Sequence, residues 1–152
     1  MQARMSHPAM ILPDAMPALQ AVGAAIGQAG IPATTIELVN LRASQINGCA
    51  TCLEGHGRVA KRAGETDERI FTIAAWREAP HFTDAERAAL ALAEAMTRLS
   101  DRPDAVSDEV WADVVKHYDE QERAALVLAV ANINLWNRLN TATRQIAGAW
   151  TP

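Results

Sequence analysis

Apolar positions along this chain recur mostly every three to four residues, the spacing of one helical face, and no segment sustains the period-2 alternation of a half-buried strand. From Asp14 to Gln28 the residues Leu19, Val22 and Ile26 keep that spacing, and Gly27 and Gly30 stop it. Pro32 suits the first turn of a second helix, running to about Ile46. Asn47-Gly48 is a break, and Asn47 is placed to cap a third helix that ends near Gly64. Asp67 to Glu78 reads as a short helix closed by the Ala79-Pro80 step, because a residue before proline avoids helical angles. Thr83 and Glu86 have capping-box spacing and open a helix to about Leu99, with Leu92, Met96 and Leu99 on one side. After the turn-rich SDRPDAVS, Ser107 caps a helix to about Tyr118, and Asp119 with Glu122 offers a second capping box for a long last helix to about Ala147. The expectation is an all-α bundle of about seven helices.

The last helix constrains the architecture, because AALVLAVANINLW is apolar almost all the way round and has to be covered on several sides. A central position in the bundle, a subunit interface, or both would do that. Asn132, Asn134, Asn137 and Asn140 on the same helix then need partners, which interhelical hydrogen bonds would supply, since an unpaired buried amide costs about 1 to 3 kcal/mol. No internal repeat, low-complexity tract or linker interrupts the chain, so residues 1–152 are expected to form one domain.

Composition changes this picture little. Hydrophobic residues are 49% of the 152 and charged residues 21%, with aromatics only 5%, so the chain can bury a core without a staple. A formal net charge of −4 gives no electrostatic footprint for nucleic acid. No apolar run approaches the length of a membrane span, and prolines interrupt the N-terminal stretch where a signal peptide needs continuity. The expected setting is the cytoplasm, where a lone cysteine pair is more often catalytic or metal-binding than a permanent crosslink.

Both cysteines and one of the four histidines lie in NGCATCLEGH, residues 47–56. Cys49 and Cys52 are three apart, neighbours on one helical face, with a spacing that can close a small disulfide. If Asn47 caps the helix, both lie in its first two turns, where unpaired N–H groups and the helix dipole favour thiolate over thiol. His56 follows Cys52 by four and faces it one turn on, within reach of proton exchange directly or through one water. Glu37 is ten residues before Asn47 and His56 nine after it. In an antiparallel hairpin reversing at Asn47-Gly48 the two side chains arrive at the same height, roughly 14 Å from the turn. A carboxylate there orients the imidazole and raises its basicity, so that it takes a proton from Cys52.

The run ELVNLRASQINGCATCLEGH has the pattern E-x11-C-x-x-C-x3-H and resembles the alkylhydroperoxidase D-like branch of the carboxymuconolactone decarboxylase superfamily. The likeness extends more loosely over AAWREAPHFTDAERAALALAEAMTRL and INLWNRLNTATR. It implies an all-helical subunit assembling into trimers or hexamers and a thiol-dependent peroxidase that needs no metal or organic cofactor. By position, Cys52 matches the peroxidatic cysteine that attacks a hydroperoxide and passes through a sulfenic acid. Cys49 matches the resolving cysteine that condenses with it to a disulfide, and Glu37 and His56 match the family's proton relay. Helix position alone favours Cys49, nearer the N-terminus, as the more acidic thiol. A dithiol reductant, which the sequence does not identify, has to return the electrons. One departure stands out: the founding enzymes have a histidine immediately before the second cysteine, and this chain has Thr51.

Other readings remain open at this level. The pair can be two small buried hydrophobes, or Cys49, Cys52, His56 and Glu37 can be zinc ligands, although no second C-x-x-C or H-x3-H exists. The site can be that of a lyase or isomerase acting on a small acid or lactone, with His56 and Glu37 as acid and base, or of a redox-sensing oligomer. His7, His81 and His117 are expected to be structural or solvated. Phe71 and Trp76 fit core packing better than the wall of a peroxide pocket. Glu54 is expected on the solvent side, and Arg42 and Ser44 in interhelical polar contacts.

Overall fold

A computed structural model describes residues 1–101 and 103–149. Among them there are helices and no strand: α1 (Pro8–Ile11), α2 (Ala15–Gly27), α3 (Ala33–Asn47), α4 (Ala50–Arg62), α5 (Asp67–Thr72), α6 (Asp84–Thr97), α7 (Asp108–His117) and α8 (Glu120–Thr143). The all-α expectation holds, with one short helix more than the pattern showed. That addition, α1, is a single turn with Pro8 at its start, capped by His7.

The caps explain the boundaries. Thr83 with Glu86 and Asp119 with Glu122 form complete capping boxes at α6 and α8. Ser107 accepts from Val110 N at α7, as expected. Asn47 does not cap α4: it is the last residue of α3, Gly48 turns the chain with φ 65°, and Cys49 itself is the N-cap of α4. Cys49 N bonds to Ser44 O (3.0 Å) and Gly48 N to Gln45 O (3.3 Å), so the left-handed residue satisfies two of the last carbonyls of α3. The helix expected over Asp67 to Glu78 is shorter, giving way at Ile73–Ala75 to a 3-10 turn well before Pro80. The long last helix stops at Thr143 rather than near Ala147. Arg144 takes a left-handed conformation (φ 53°), with Gln145 N on Asn140 O (2.9 Å) and Arg144 N on Thr141 O (3.2 Å).

The centre of the bundle is α3, which packs against α4, α6 and α8, while α8 also packs against α2, α4 and α6. One core gathers Ile26, Val39, Leu92, Val114, Leu126 and Val130 from five helices. A second gathers Leu38, Leu41, Ile73, Trp76, Phe82 and Leu90 beneath α4. A third is small and lies between α3, α4 and α8: Ala43, Cys49, Cys52 and Ile133, with Trp136 against them. The expected stripe of α2 is only partly used, since Ile26 is buried but Val22 is exposed, and Leu99 lies beyond α6 and is also exposed. Trp76 is core, whereas Phe71 is 78% exposed and is not.

The asparagines of α8 tie the bundle together. Asn47 Nδ2 donates to Asn134 Oδ1 (2.9 Å) and Asn137 Oδ1 (2.8 Å), and Asn137 Nδ2 donates to Ser44 Oγ (3.0 Å). Arg42 Nε donates to Glu94 Oε1 (2.7 Å), joining α3 to α6. Both Arg42 and Ser44 thus make the interhelical contacts expected of them. Glu54 lies outside, paired with Arg58 one turn on.

Candidate active site

The N-terminus of α4 carries the chemistry. Cys49 and Cys52 are bonded to each other, with Cα atoms 5.4 Å apart, and both are buried. Cys52 N donates to Cys49 Sγ (3.3 Å), the contact a capping side chain makes with the third residue of a helix. Both sulfurs therefore sit at the electropositive end of α4.

The reversal at Gly48 sends α4 back along α3, and Glu37 and His56 meet across the pair of helices. Glu37 Oε2 is 2.8 Å from His56 Nδ1. Both side chains are mostly buried, at 11% and 17% exposure, so water competes little for this contact. With Nδ1–H donated to the carboxylate, the lone pair of the neutral ring is on Nε2. Asn40, one turn after Glu37 on α3, donates through Nδ2 to Glu37 Oε1 (3.1 Å) and lies 3.4 Å from His56 Nδ1. The carboxylate is thus held by two groups, one on each oxygen, with Oε2 towards the ring.

Two further contacts reach the cysteines from the end of α8. Asn140 Nδ2 donates to Cys52 Sγ (3.3 Å). Thr51 Oγ1 donates to the carbonyl of Gln145 (2.8 Å), just past the left-handed Arg144, and Gln145 Nε2 donates to Met5 O (3.1 Å). The residue standing where the founding enzymes have histidine is therefore a tether for the segment after α8. The four predicted residues Glu37, Cys49, Cys52 and His56 all fall at the α3–α4 hairpin. Asn40, Asn140 and His7, which caps α1 and stacks on Trp136, were not singled out for the site by the sequence. Among the described residues no group of three or more His, Cys, Asp and Glu side chains is arranged to hold a metal ion.

The model of the carboxymuconolactone decarboxylase family matches residues 13–95, which include the whole hairpin. The chain belongs to the carboxymuconolactone decarboxylase family. This family member is 39% identical over 132 residues to the uncharacterized protein YdfG of Bacillus subtilis, a match that spans 87% of this chain and 88% of that one. It is 46% identical to the alkyl hydroperoxide reductase AhpD of Methylocella silvestris over 57 residues, 38% of this chain and 32% of AhpD. Among solved structures, a protein of unknown function from Agrobacterium tumefaciens, with a suggested antioxidant defence role of the AhpD kind, superposes with a TM-score of 0.89. Its identity is 29%, over 98% of this chain and 100% of that one. The debrominase Bmp8 shares the fold, with a TM-score of 0.80 at 22% identity over 91% of this chain and 73% of its own. Family and fold therefore narrow the chemistry without choosing one reaction.

Proposed function

We propose that this decarboxylase-family protein is a thiol-dependent peroxidase that reduces hydroperoxides at Cys52. The observation that carries this reading is the 2.8 Å Glu37–His56 contact on the same helix hairpin as a bonded Cys49–Cys52 pair. In the reduced enzyme His56 accepts the Cys52 thiol proton at Nε2, and Glu37 stabilises the resulting imidazolium. The Cys52 thiolate attacks an oxygen of the hydroperoxide, so that an S–O bond forms as the O–O bond breaks. The imidazolium proton goes to the departing alkoxide, giving an alcohol and a Cys52 sulfenic acid. The Cys49 thiol attacks the sulfenic sulfur, the disulfide forms and water leaves. A dithiol reductant then supplies two electrons and two protons, becoming a disulfide itself, which suits a reducing compartment such as the cytoplasm. Up to the disulfide, the steps use only the hydroperoxide and side chains of the protein.

Anaerobic reduction followed by stopped-flow mixing with hydrogen peroxide and organic hydroperoxides, monitored by intact mass, tests the reading. Two thiols per chain are lost in the wild type and none by disulfide formation in Cys52→Ala; thiols unchanged by every peroxide would overturn it. The buried carboxylate–imidazole pair also supports a second reading, a lyase or isomerase on a small acid or lactone. Activity on such a substrate that survives double replacement of Cys49 and Cys52 by alanine would establish it. Redox sensing through assembly is the third, and sedimentation of reduced and oxidised protein at equal concentration distinguishes it. As to assembly, we infer a homo-oligomer, trimer or hexamer: α8 leaves Leu128 and Leu135 exposed, and α2 carries no charge.

A further inference from the structure

His7 is an imidazole for which the peroxidase chemistry has no use, and a single side chain, Trp136, stands between it and the sulfur cluster. Its ring packs on Trp136, with centroids 5.5 Å apart, and Trp136 packs on the cluster of Cys49, Cys52 and Ile133. Nδ1 accepts the backbone N–H of Ala9 (3.2 Å), so the hydrogen of the neutral ring is on Nε2. That atom is shut off from solvent and has no hydrogen-bond partner among the described residues. Burial pushes His7 below the ordinary histidine range, which keeps it neutral, and the neighbouring Asn140 side chain acts in the opposite direction.

Asn140 is also the group that donates to Cys52 Sγ. A carboxamide has two unlike ends. With Nδ2 towards the sulfur it stabilises a thiolate; turned over, Oδ1 would face the sulfur and repel one. Asn140 lies one turn after Trp136 on α8, the residue on which the His7 ring packs. The Nε2–H of His7, which makes no hydrogen bond in the disulfide form, is therefore the donor placed to meet Oδ1 and hold the carboxamide the productive way round once the pair is reduced. The arrangement bears on which sulfur reacts. The capping position and the N–H of Cys52 both favour Cys49 as the anion.

We propose that His7, acting through the Asn140 carboxamide, makes Cys52 rather than Cys49 the more acidic thiol of the reduced pair. His7 is a positioning residue, since it touches neither the hydroperoxide nor the reacting sulfur. The inference rests on the redox reading of the pair but not on a peroxide as its oxidant. On the hairpin, His56 of α4 and Glu37 of α3 are bonded to each other, while the α8 side chains in contact with the cysteine cluster, Ile133, Trp136 and Asn140, are uncharged.

Thiolate absorbance of the reduced full-length protein, followed against pH in single-cysteine variants, tests this. In Cys49→Ser, adding His7→Phe raises the Cys52 pKa by about half to one pH unit, and His7→Gln, which keeps a donor near the Nε2 position, restores much of it. In Cys52→Ser, His7→Phe leaves the Cys49 pKa where it was. Asn140→Leu, which spares the N-terminal segment, raises the Cys52 pKa by as much as His7→Phe, and the two together add nothing. A Cys52 pKa indifferent to either change, or an equal movement of both thiols, would overturn the proposal. Thiols that titrate in this way but ignore peroxide would instead overturn the peroxidase reading alone.

Discussion

Glu37 and Asn40 make the clearest case for a single-residue effect at the hairpin. Glu37→Gln keeps the shape but cannot stabilise an imidazolium, so we expect the rate of peroxide-driven disulfide formation in rapid mixing to fall about ten- to a hundredfold. The unfolding midpoint should move far less than that loss of rate suggests. Gly48 and Arg144 make a matched pair of backbone tests. A Cβ at Gly48 meets nothing within 4 Å, so Gly48→Ala costs only its left-handed conformation, about 1 kcal/mol in urea unfolding. Arg144 holds the same conformation without being glycine, and Arg144→Gly is expected to gain up to about 1 kcal/mol. Glu37 and His56 were legible because a helix reversal can be counted along a sequence. Asn40 was not: its partner is on another helix, and an asparagine in a helix carries no mark of which carboxylate it steadies. The role of Asn47 was misread for a related reason, since a residue that can cap the next helix can also end the previous one, and here its side chain is committed to α8.

Helix α3 shows what amphipathic patterning misses. Its polar residues Thr35, Glu37, Asn40 and Ser44 are buried, so the sequence shows no clean stripe and α8 looks the more central element. What buries them is pairing. Three donors from two elements converge on Glu94 of α6, which accepts from Arg42 of α3 (2.7 Å) and, just after the 3-10 turn, from Trp76 Nε1 (3.0 Å) and Arg77 (2.7 Å). Burial would raise the Glu94 carboxyl, but the hydrogen bonds from Arg77, Arg42 and Trp76 and the Arg42 charge together hold it below the ordinary 4.5. Its ionised form is therefore favoured by folding. That stabilisation is complete above the ordinary glutamate range and is lost as pH falls through the depressed value. Urea unfolding at pH 7, 5, 4 and 3 should show a decline that is shallower in Glu94→Gln. At pH 7, Glu94→Leu should cost about 2 to 3 kcal/mol, because Arg42 and Trp76 lose their acceptor, while Arg77, 59% exposed, adds little.

At the scale of the whole molecule, Ala124, Leu128, Ala131 and Leu135 fall at helical spacing along α8, and all four are exposed in the single chain. The need to cover this helix on several sides was read correctly from AALVLAVANINLW, and the subunit buries all but one stripe of it. Leu128→Glu with Leu135→Glu should sediment as a smaller species at the same concentration, with helical content retained by circular dichroism. A wild-type mass equal to one chain would overturn the inferred assembly. The sequence also pointed Phe71 and Leu99 inwards, where the structure leaves both exposed, because helical spacing tells which residues share a face but not whether another element is there to meet it.

The segments that meet at the cysteines differ in one respect. Glu37, Cys49, Cys52 and His56 lie inside the stretch matched to the family, residues 13–95, whereas His7, Asn140 and Gln145 lie outside it on both sides. Arg4 N bonds to Thr143 O (2.9 Å) and Gln145 to Met5, so these flanking segments are fastened to each other over the hairpin. A relative could therefore inherit the acid, the base and both sulfurs unchanged and still differ in reactivity through its flanks alone. Grafting residues 1–12 and 140–149 onto such a relative would transplant the sulfur's surroundings without altering a letter of its motif.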